Sequence, residues 1–129
     1  VVARYLARDP AALAIIHRLK AGAERMYTDL EAGDAEAFAR GVGEFWMCKK
    51  AIDAGATNAR VEAIIRPIAR HLSGYEPPGA GGGGFIFMIA RDPDAAATVR
   101  ARLSRRPPNR LARFYDFAID QKGIAISVL

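Results

Sequence analysis

The sequence reads GAGGGG at residues 79–84 and FIFMIA at residues 85–90. A glycine run therefore passes directly into an apolar segment of the length of a strand. Glycine adopts positive φ and leaves no Cβ in the way, and successive amide N–H groups in such loops form an anion-binding concavity. A bare linker would use serine and polar residues and would join units that stand alone. We interpret residues 79–84 as a tight loop whose backbone comes close to another group.

The loop contains the spacing G-x-G-x-x-G, but its context excludes the two common nucleotide motifs. The dinucleotide fingerprint follows a strand and opens a helix. Here the pattern predicts a helix before the loop and a strand after it, with residues 74–79 as an extended lead-in. A P-loop requires Gly-Lys-Ser or Gly-Lys-Thr, and neither follows.

The first half of the chain shows the apolar spacing of helices, and the second half shows strand-length apolar runs. Capping residues and prolines predict helix starts at Asp9-Pro10, Asp34, Thr57 or Asn58, and Asp92-Pro93. Glycines predict helix ends at Gly33, Gly55 and Gly74. Pro67 predicts a kink or a break of the helix near residues 64–66. Gly123 predicts a turn at residues 120–123 between strands 111–119 and 124–129. Together with the strands at 74–79 and 85–90, this order predicts one α+β domain with an antiparallel four-stranded sheet covered by helices on one face.

The composition is that of an ordinary globular protein: 51% of residues are hydrophobic and 26% are charged, which excludes a disordered chain. No signal peptide or membrane-spanning stretch is expected. The single cysteine, Cys48, fits a reducing compartment, so a cytoplasmic location is expected. The net charge of +5 favours phosphate-bearing partners.

The segment GYEPPGAGGGGFIFMIA, residues 74–90, resembles the third signature motif of the GHMP kinases. Within that superfamily the likeness is nearest to the sugar kinases that act on L-fucose and on D-glycero-D-manno-heptose phosphate. Those enzymes also have a tryptophan helix with two lysines and an asparagine that starts the next helix. The matching residues here are Trp46, Lys49, Lys50, Asp53, Gly55, Thr57 and Asn58. The tail from residue 100 to 129 resembles the end of fucokinase-type enzymes, so that the likeness covers residues 38 to 129.

The resemblance implies an enzyme with two domains and an active site between them. An N-terminal domain would supply the main ATP-phosphate loop and the carboxylate that acts on the substrate hydroxyl. The C-terminal domain, of ferredoxin-like fold, would carry the glycine loop. This chain has serines only at Ser73, Ser104 and Ser127 and no Ser-Ser phosphate loop. We therefore expect residues 1–129 to be the C-terminal domain as a fragment, inactive alone because phosphoryl transfer depends on positioning.

The resemblance also implies the site and its partners. The full-length parent would use ATP and Mg²⁺, with neither expected on this fragment, and the partners would be its own N-terminal domain and a sugar or sugar phosphate. The substrate and phosphate loop would be Gly79, Ala80, Gly81, Gly82, Gly83 and Gly84, with substrate contacts at Lys49, Asp53 and Asn58 and no catalytic residue. Glu76 stands where the family usually has lysine.

Each candidate residue also has a simpler interpretation. Adjacent lysines on an amphipathic helix usually face solvent, Asp53 fits the chemistry of a helix end, and Asn58 fits an N-cap. His17 and His71 show no metal-ligand spacing, so no metal site is expected. The alternative function is a non-catalytic module that binds an anion or small molecule. Nucleic-acid binding is not expected, because the basic cluster (Arg102, Arg105, Arg106 and Arg110) lacks a recognisable motif and fits a solvated loop.

Overall fold

The protein has an α+β fold, seen here in a computed structural model that describes residues 1–79, 83–120, 122–123 and 126–127. The helices in these residues are α1 (Val2–Leu6), α2 (Pro10–Glu31), α3 (Ala35–Ile52), α4 (Ala59–Ile65) and α5 (Pro93–Arg105). The strands in these residues are β1 (Leu72–Glu76) and β2 (Phe87–Ala90), and 3₁₀ turns lie at Ala54–Ala56 and Ala69–His71.

The predicted helix starts are confirmed, and each is fixed by a side-chain oxygen that accepts backbone N–H groups. The capping residues of α2, α3, α4 and α5 are Asp9, Asp34, Asn58 and Asp92. Their bonds to the first turn measure 2.7–3.1 Å, and such a cap contributes about 1 kcal/mol to stability. The break before Pro67 is also confirmed, since α4 ends at Ile65.

Helices α2 and α3 form an antiparallel hairpin whose turn contains Gly33 at φ 71°. The two helices approach closely at Gly41, where the position of a Cβ would lie only 2.5 Å from Cγ of Met26. Arg25 and Glu44 pair across the same interface at 3.3 Å. Because this pair is exposed on both sides, it adds little to stability, and the hairpin depends on packing.

The opposite face of α3 packs on β1 through backbone contact. Gly74, in the middle of β1, lies so close to α3 that a Cβ on it would collide with the carbonyl oxygen of Ala39. The prediction that Gly74 ends a helix is therefore wrong. Its lack of a side chain serves the packing of a strand against a helix, which is a use of glycine that local sequence does not distinguish from a helix stop.

Strands β1 and β2 form an antiparallel pair in which Leu72 faces Ala90, Gly74 faces Ile89 and Glu76 faces Phe87. A bulge lies between Leu72 and Gly74. Beneath the pair is a core cluster of Ile65 from α4, Leu72 from β1, Val99 from α5, and Ile68, which lies just before the 3₁₀ turn Ala69–His71. The glycine run therefore lies in the loop that joins two paired strands, with Pro77 and Pro78 between the end of β1 and Gly79. The short strand or extended segment expected at residues 74–79 is found as β1, which begins earlier, at Leu72. Since β2 rather than a helix comes after the loop, the dinucleotide fingerprint stays excluded.

The prediction of a four-stranded sheet is wrong for the part of the chain that the structure describes, where the sheet has two strands. Residues 111–119 contain no strand. Of the predicted strand 124–129, only residues 126 and 127 are described, and neither lies in a strand. Residue 121 of the predicted turn also lies outside the described residues, although Gly123 has the expected positive φ of 66°.

Side-chain contacts take the place of strand pairing after α5. Tyr115 packs edge-on against Phe85 at 5.2 Å between ring centroids, and Phe117 packs against Phe87 at 6.0 Å. No backbone hydrogen bond joins residues 111–119 to β2 in the described chain. Alternating apolar residues indicate only that a segment fits a half-buried surface. Here that surface consists of the rings of Phe85 and Phe87. It covers the segment only in part, since Phe117 stays 76% exposed.

None of the helices in the described ranges has both the length and the apolar character needed to cross a bilayer.

We predict that Gly74→Ala strongly destabilises the protein, because the added methyl group meets backbone rather than a movable side chain. The expected loss in free energy of unfolding is about 3 kcal/mol or more, at the upper end for overpacking. Denaturant unfolding followed by circular dichroism measures it.

The matched control is Gly43→Ala on α3, where the added methyl group meets no atom within 4 Å. It should leave stability unchanged or raise it by about 0.5–1 kcal/mol through helix propensity. Equal effects of the two substitutions would contradict the close approach of β1 to α3.

Candidate functional site

The candidate site is the loop between β1 and β2, together with the end of α3 that contacts it. Gly79 has φ 79° and Gly84 has φ 87°, and both values lie in the left-handed region that glycine favours. At Gly79, Gly83 and Gly84 an added Cβ would meet no atom within 4 Å. Ala80, Gly81 and Gly82 of the predicted loop lie outside the described residues, so their assignment to the site stays a prediction.

Lys49, near the end of α3, contacts the first residues of the loop. Its ammonium Nζ lies 2.7 Å from Oε1 of Glu76, 3.2 Å from the carbonyl oxygen of Pro77 and 2.9 Å from that of Gly79. The side chains of Lys49 and Glu76 are only 17% and 20% exposed. This ion pair is therefore shielded from water and worth more than a surface pair.

The Trp46 side chain supports both lysines of the predicted pair. Its ring is 1% exposed and so belongs to the core, and Nζ of Lys49 and Nζ of Lys50 lie 5.7 and 5.5 Å from its centroid. Lys50 turns toward α4, where it lies 3.6 Å from Oε1 of Glu62. The two adjacent lysines therefore share one aromatic platform but serve different neighbours.

Asp53 and Asn58 both bond to backbone at the ends of helical elements. Oδ1 of Asp53 accepts a hydrogen bond of 2.8 Å from the N–H of Gly55. Oδ1 of Asn58 accepts from the N–H groups of Arg60 and Val61 at 3.0 and 3.1 Å. These contacts explain both residue types locally, and the substrate contacts predicted for Lys49, Asp53 and Asn58 stay predictions.

Sequence reasoning missed the contact between Lys49 and Glu76. The two residues are 27 positions apart, and a single sequence gives no signal for pairing at that separation. Only the opposite charges, one at the end of α3 and one before the loop, hinted at it.

An open groove of about 540 Å³ lies beside β1, on the side of α4. It is lined by Ala59, Glu62, Ala63, Ile65, Arg66, Ala69 and Tyr75. Its small apolar floor carries one carboxylate, one guanidinium and one phenol, groups that can hydrogen-bond to a polar small molecule.

Among the described residues, no group of three or more His, Cys, Asp or Glu side chains is placed to hold a metal ion. Cys48 is a buried free thiol, as expected of a small core residue.

The basic cluster lies at the end of α5 and beyond, and all four arginines are exposed, as expected of a solvated segment. Arg102 also donates a hydrogen bond of 3.0 Å to the carbonyl oxygen of Pro67. Nearby, burial lowers the pKa of His71 below its usual 6.5, and the charges of Arg70, Arg102 and Arg91 lower that pKa further against the weaker effect of Asp92.

Comparison with known proteins places these features in one family. The family described as GHMP kinases C terminal matches residues 26–109, which include the glycine loop and both lysines. The L-fucokinase/L-fucose-1-P guanylyltransferase of Bacteroides fragilis is 40% identical over 115 residues, covering 89% of this chain and 12% of that protein. The bifunctional fucokinase/GDP-fucose pyrophosphorylase of Arabidopsis thaliana is 33% identical over 109 residues, covering 80% of this chain and 10% of that protein. The chain thus spans about a tenth of the length of these curated relatives.

We predict that Arg70→Gln raises the pKa of His71, because it removes the nearest of the positive charges that oppose protonation. Since the folded protein disfavours the protonated imidazole, the stability that this group contributes is complete above pH 6.5 and is lost as the pH falls below that value. The substitution should reduce this loss. Titration of the His71 ring protons by NMR measures the pKa directly.

Arg60→Gln is the control, because Arg60 does not contribute to the lowered pKa of His71. A pKa of His71 that moves equally in both variants, or in neither, would contradict the assignment.

Proposed function

Because the chain belongs to the GHMP kinases C terminal family, we propose that it is the C-terminal domain of an ATP-dependent sugar kinase. In this proposal the glycine loop lines the cleft that holds the substrate and the phosphate groups. The observation that carries it is that the loop, held at its start by Lys49, lies inside the segment that matches the family. Catalysis would belong to a larger polypeptide that also contains the nucleotide-binding domain.

We propose L-fucose as the acceptor sugar. The support is that both curated relatives have fucokinase in their names and that the one from Bacteroides is 40% identical over most of this chain. A heptose phosphate is the second acceptor to test, since the sequence motifs resemble both kinds of sugar kinase. We also propose a cytoplasmic location, in keeping with the buried free thiol of Cys48.

The chemistry of the loop fits contact with phosphate. Glycines at Gly79, Gly83 and Gly84 leave their backbone N–H groups unshielded by side chains, and such groups hold anions well. ATP would supply the phosphoryl group and Mg²⁺ would neutralise its charge when bound. In this proposal, this chain's part is to shape the cleft.

The surface beside the loop supports contact with a second domain. Phe85 packs against Tyr115 and Phe87 packs against Phe117, and Phe85, Tyr115 and Phe117 remain 63%, 52% and 76% exposed. Contiguous apolar surface of this kind marks interaction sites. We propose that the N-terminal domain of the same polypeptide covers it.

The proposal is tested by assaying the polypeptide that contains both domains for release of ADP with ATP, Mg²⁺ and each sugar. We expect turnover with L-fucose, less with a heptose phosphate, and none from residues 1–129 alone. Calorimetric binding of phosphate or sugar without turnover would favour the alternative, a non-catalytic binding module. Absence of both turnover and binding would refute the proposed function.

We predict that Gly84→Ala lowers the turnover of that polypeptide about tenfold or more, since alanine pays about 1–2 kcal/mol to hold the left-handed backbone of Gly84 and a shifted loop misplaces the phosphate. Gly83→Ala, where no atom lies within 4 Å of the added methyl group, is the control and should keep most activity. Equal activity in the two variants would contradict a role for the shape of the loop.

A further inference from the structure

We propose that Lys49 is a positioning residue, which holds the start of the glycine loop through two backbone carbonyl groups and does not bind substrate. The positioning is a property of this chain. Its consequence for catalysis rests on the proposed function.

The ammonium group of Lys49 has no donor left for a ligand. A lysine ammonium carries three N–H donors and no acceptor. The three acceptors around Nζ of Lys49 lie at 2.7, 3.2 and 2.9 Å, one for each donor. With its side chain 17% exposed, Lys49 would have to give up one of these bonds to contact a sugar or a phosphate.

The start of the loop lacks backbone donors at two consecutive positions. Pro77 and Pro78 have no backbone N–H, so two consecutive residues cannot donate to a neighbouring strand. Glu76 is the last residue of β1 that pairs with β2. Beyond it, the donor that reaches the carbonyl oxygens of Pro77 and Gly79 comes from Lys49 on another element.

Lys49 is itself held in place. Its Nζ lies 5.7 Å from the centroid of the buried Trp46 ring, and the carboxylate of Glu76 fixes the ammonium from the side of β1. A long side chain confined in this way has already lost the rotamer freedom that would otherwise weaken its bonds. The ammonium group therefore joins the end of α3 to the loop through a side chain with little conformational freedom.

The experiment measures the backbone order of Gly79, Gly83 and Gly84 by ¹⁵N heteronuclear NOE on this chain. Lys49→Met should lower the NOE at Gly79 most strongly. Lys50→Met is the matched control, because Lys50 lies over the same Trp46 ring and pairs with Glu62 instead. It should leave the loop values unchanged. An equal decrease in both variants would mean general loosening of α3 and would overturn the proposal.

A second comparison separates the carbonyl bonds from the ion pair. Glu76→Gln removes the charge of the partner but leaves Lys49 able to donate to Pro77 and Gly79, so the NOE should be kept. If it falls as far as in Lys49→Met, the ion pair alone orders the loop and the proposal is wrong. Because Lys49→Met leaves a poorly exposed carboxylate without a cation, the neutral double variant Lys49→Met/Glu76→Gln is measured too. It should fold and still lose order at Gly79.

In the polypeptide with both domains, Lys49→Met should lower kcat about tenfold or more, while the KM for the sugar stays within about twofold. A lysine that binds substrate would instead raise KM. If the wild-type polypeptide shows no kinase activity, the proposed function fails, yet the NOE comparison still decides whether Lys49 positions the loop.

Discussion

The contact of β1 with α3 through bare backbone is the constraint on which the candidate site depends. Gly74 brings the strand against the carbonyl oxygen of Ala39 without an intervening side chain. That spacing sets the distance between the end of β1 and the end of α3, and so lets a lysine on the helix reach the loop after the strand. A larger separation would leave Lys49 unable to donate to the carbonyl oxygens of Pro77 and Gly79.

The accuracy of sequence reasoning here depended on whether the decisive interaction is local. The starts of the helices were predictable, because a cap such as Asp92 bonds to residues within the next turn. The structural role of Gly74 was not predictable, because a glycine that ends a helix and a glycine that lets a neighbouring backbone approach look alike in one sequence. The pairing of Lys49 with Glu76 depends on the folded arrangement of α3 and β1, which no local pattern contains.

The wrong prediction of a four-stranded sheet has a similar cause. Residues 111–119 have the apolar content of a strand. The ring of Tyr115 contacts Phe85, just before β2, and the ring of Phe117 contacts Phe87, the first residue of β2. What they lack in the described structure is a backbone ladder. Apolar alternation reports which face of a segment is covered, whereas the sheet is defined by which N–H and C=O groups meet. The covered face of a segment can be predicted from the sequence, whereas the pairing of its backbone groups depends on the fold.

The bulge in β1 has a consequence for register. Ser73 is the extra residue between the pairs that Leu72 and Gly74 make with β2, and one added residue reverses the face to which every later side chain points. A slip of the hairpin by one position would turn Ser73 or Tyr75 toward Ala39, where even a methyl group has no room. Steric exclusion therefore fixes the alignment of β1 on α3, and with it the point at which the chain leaves the sheet before its glycines.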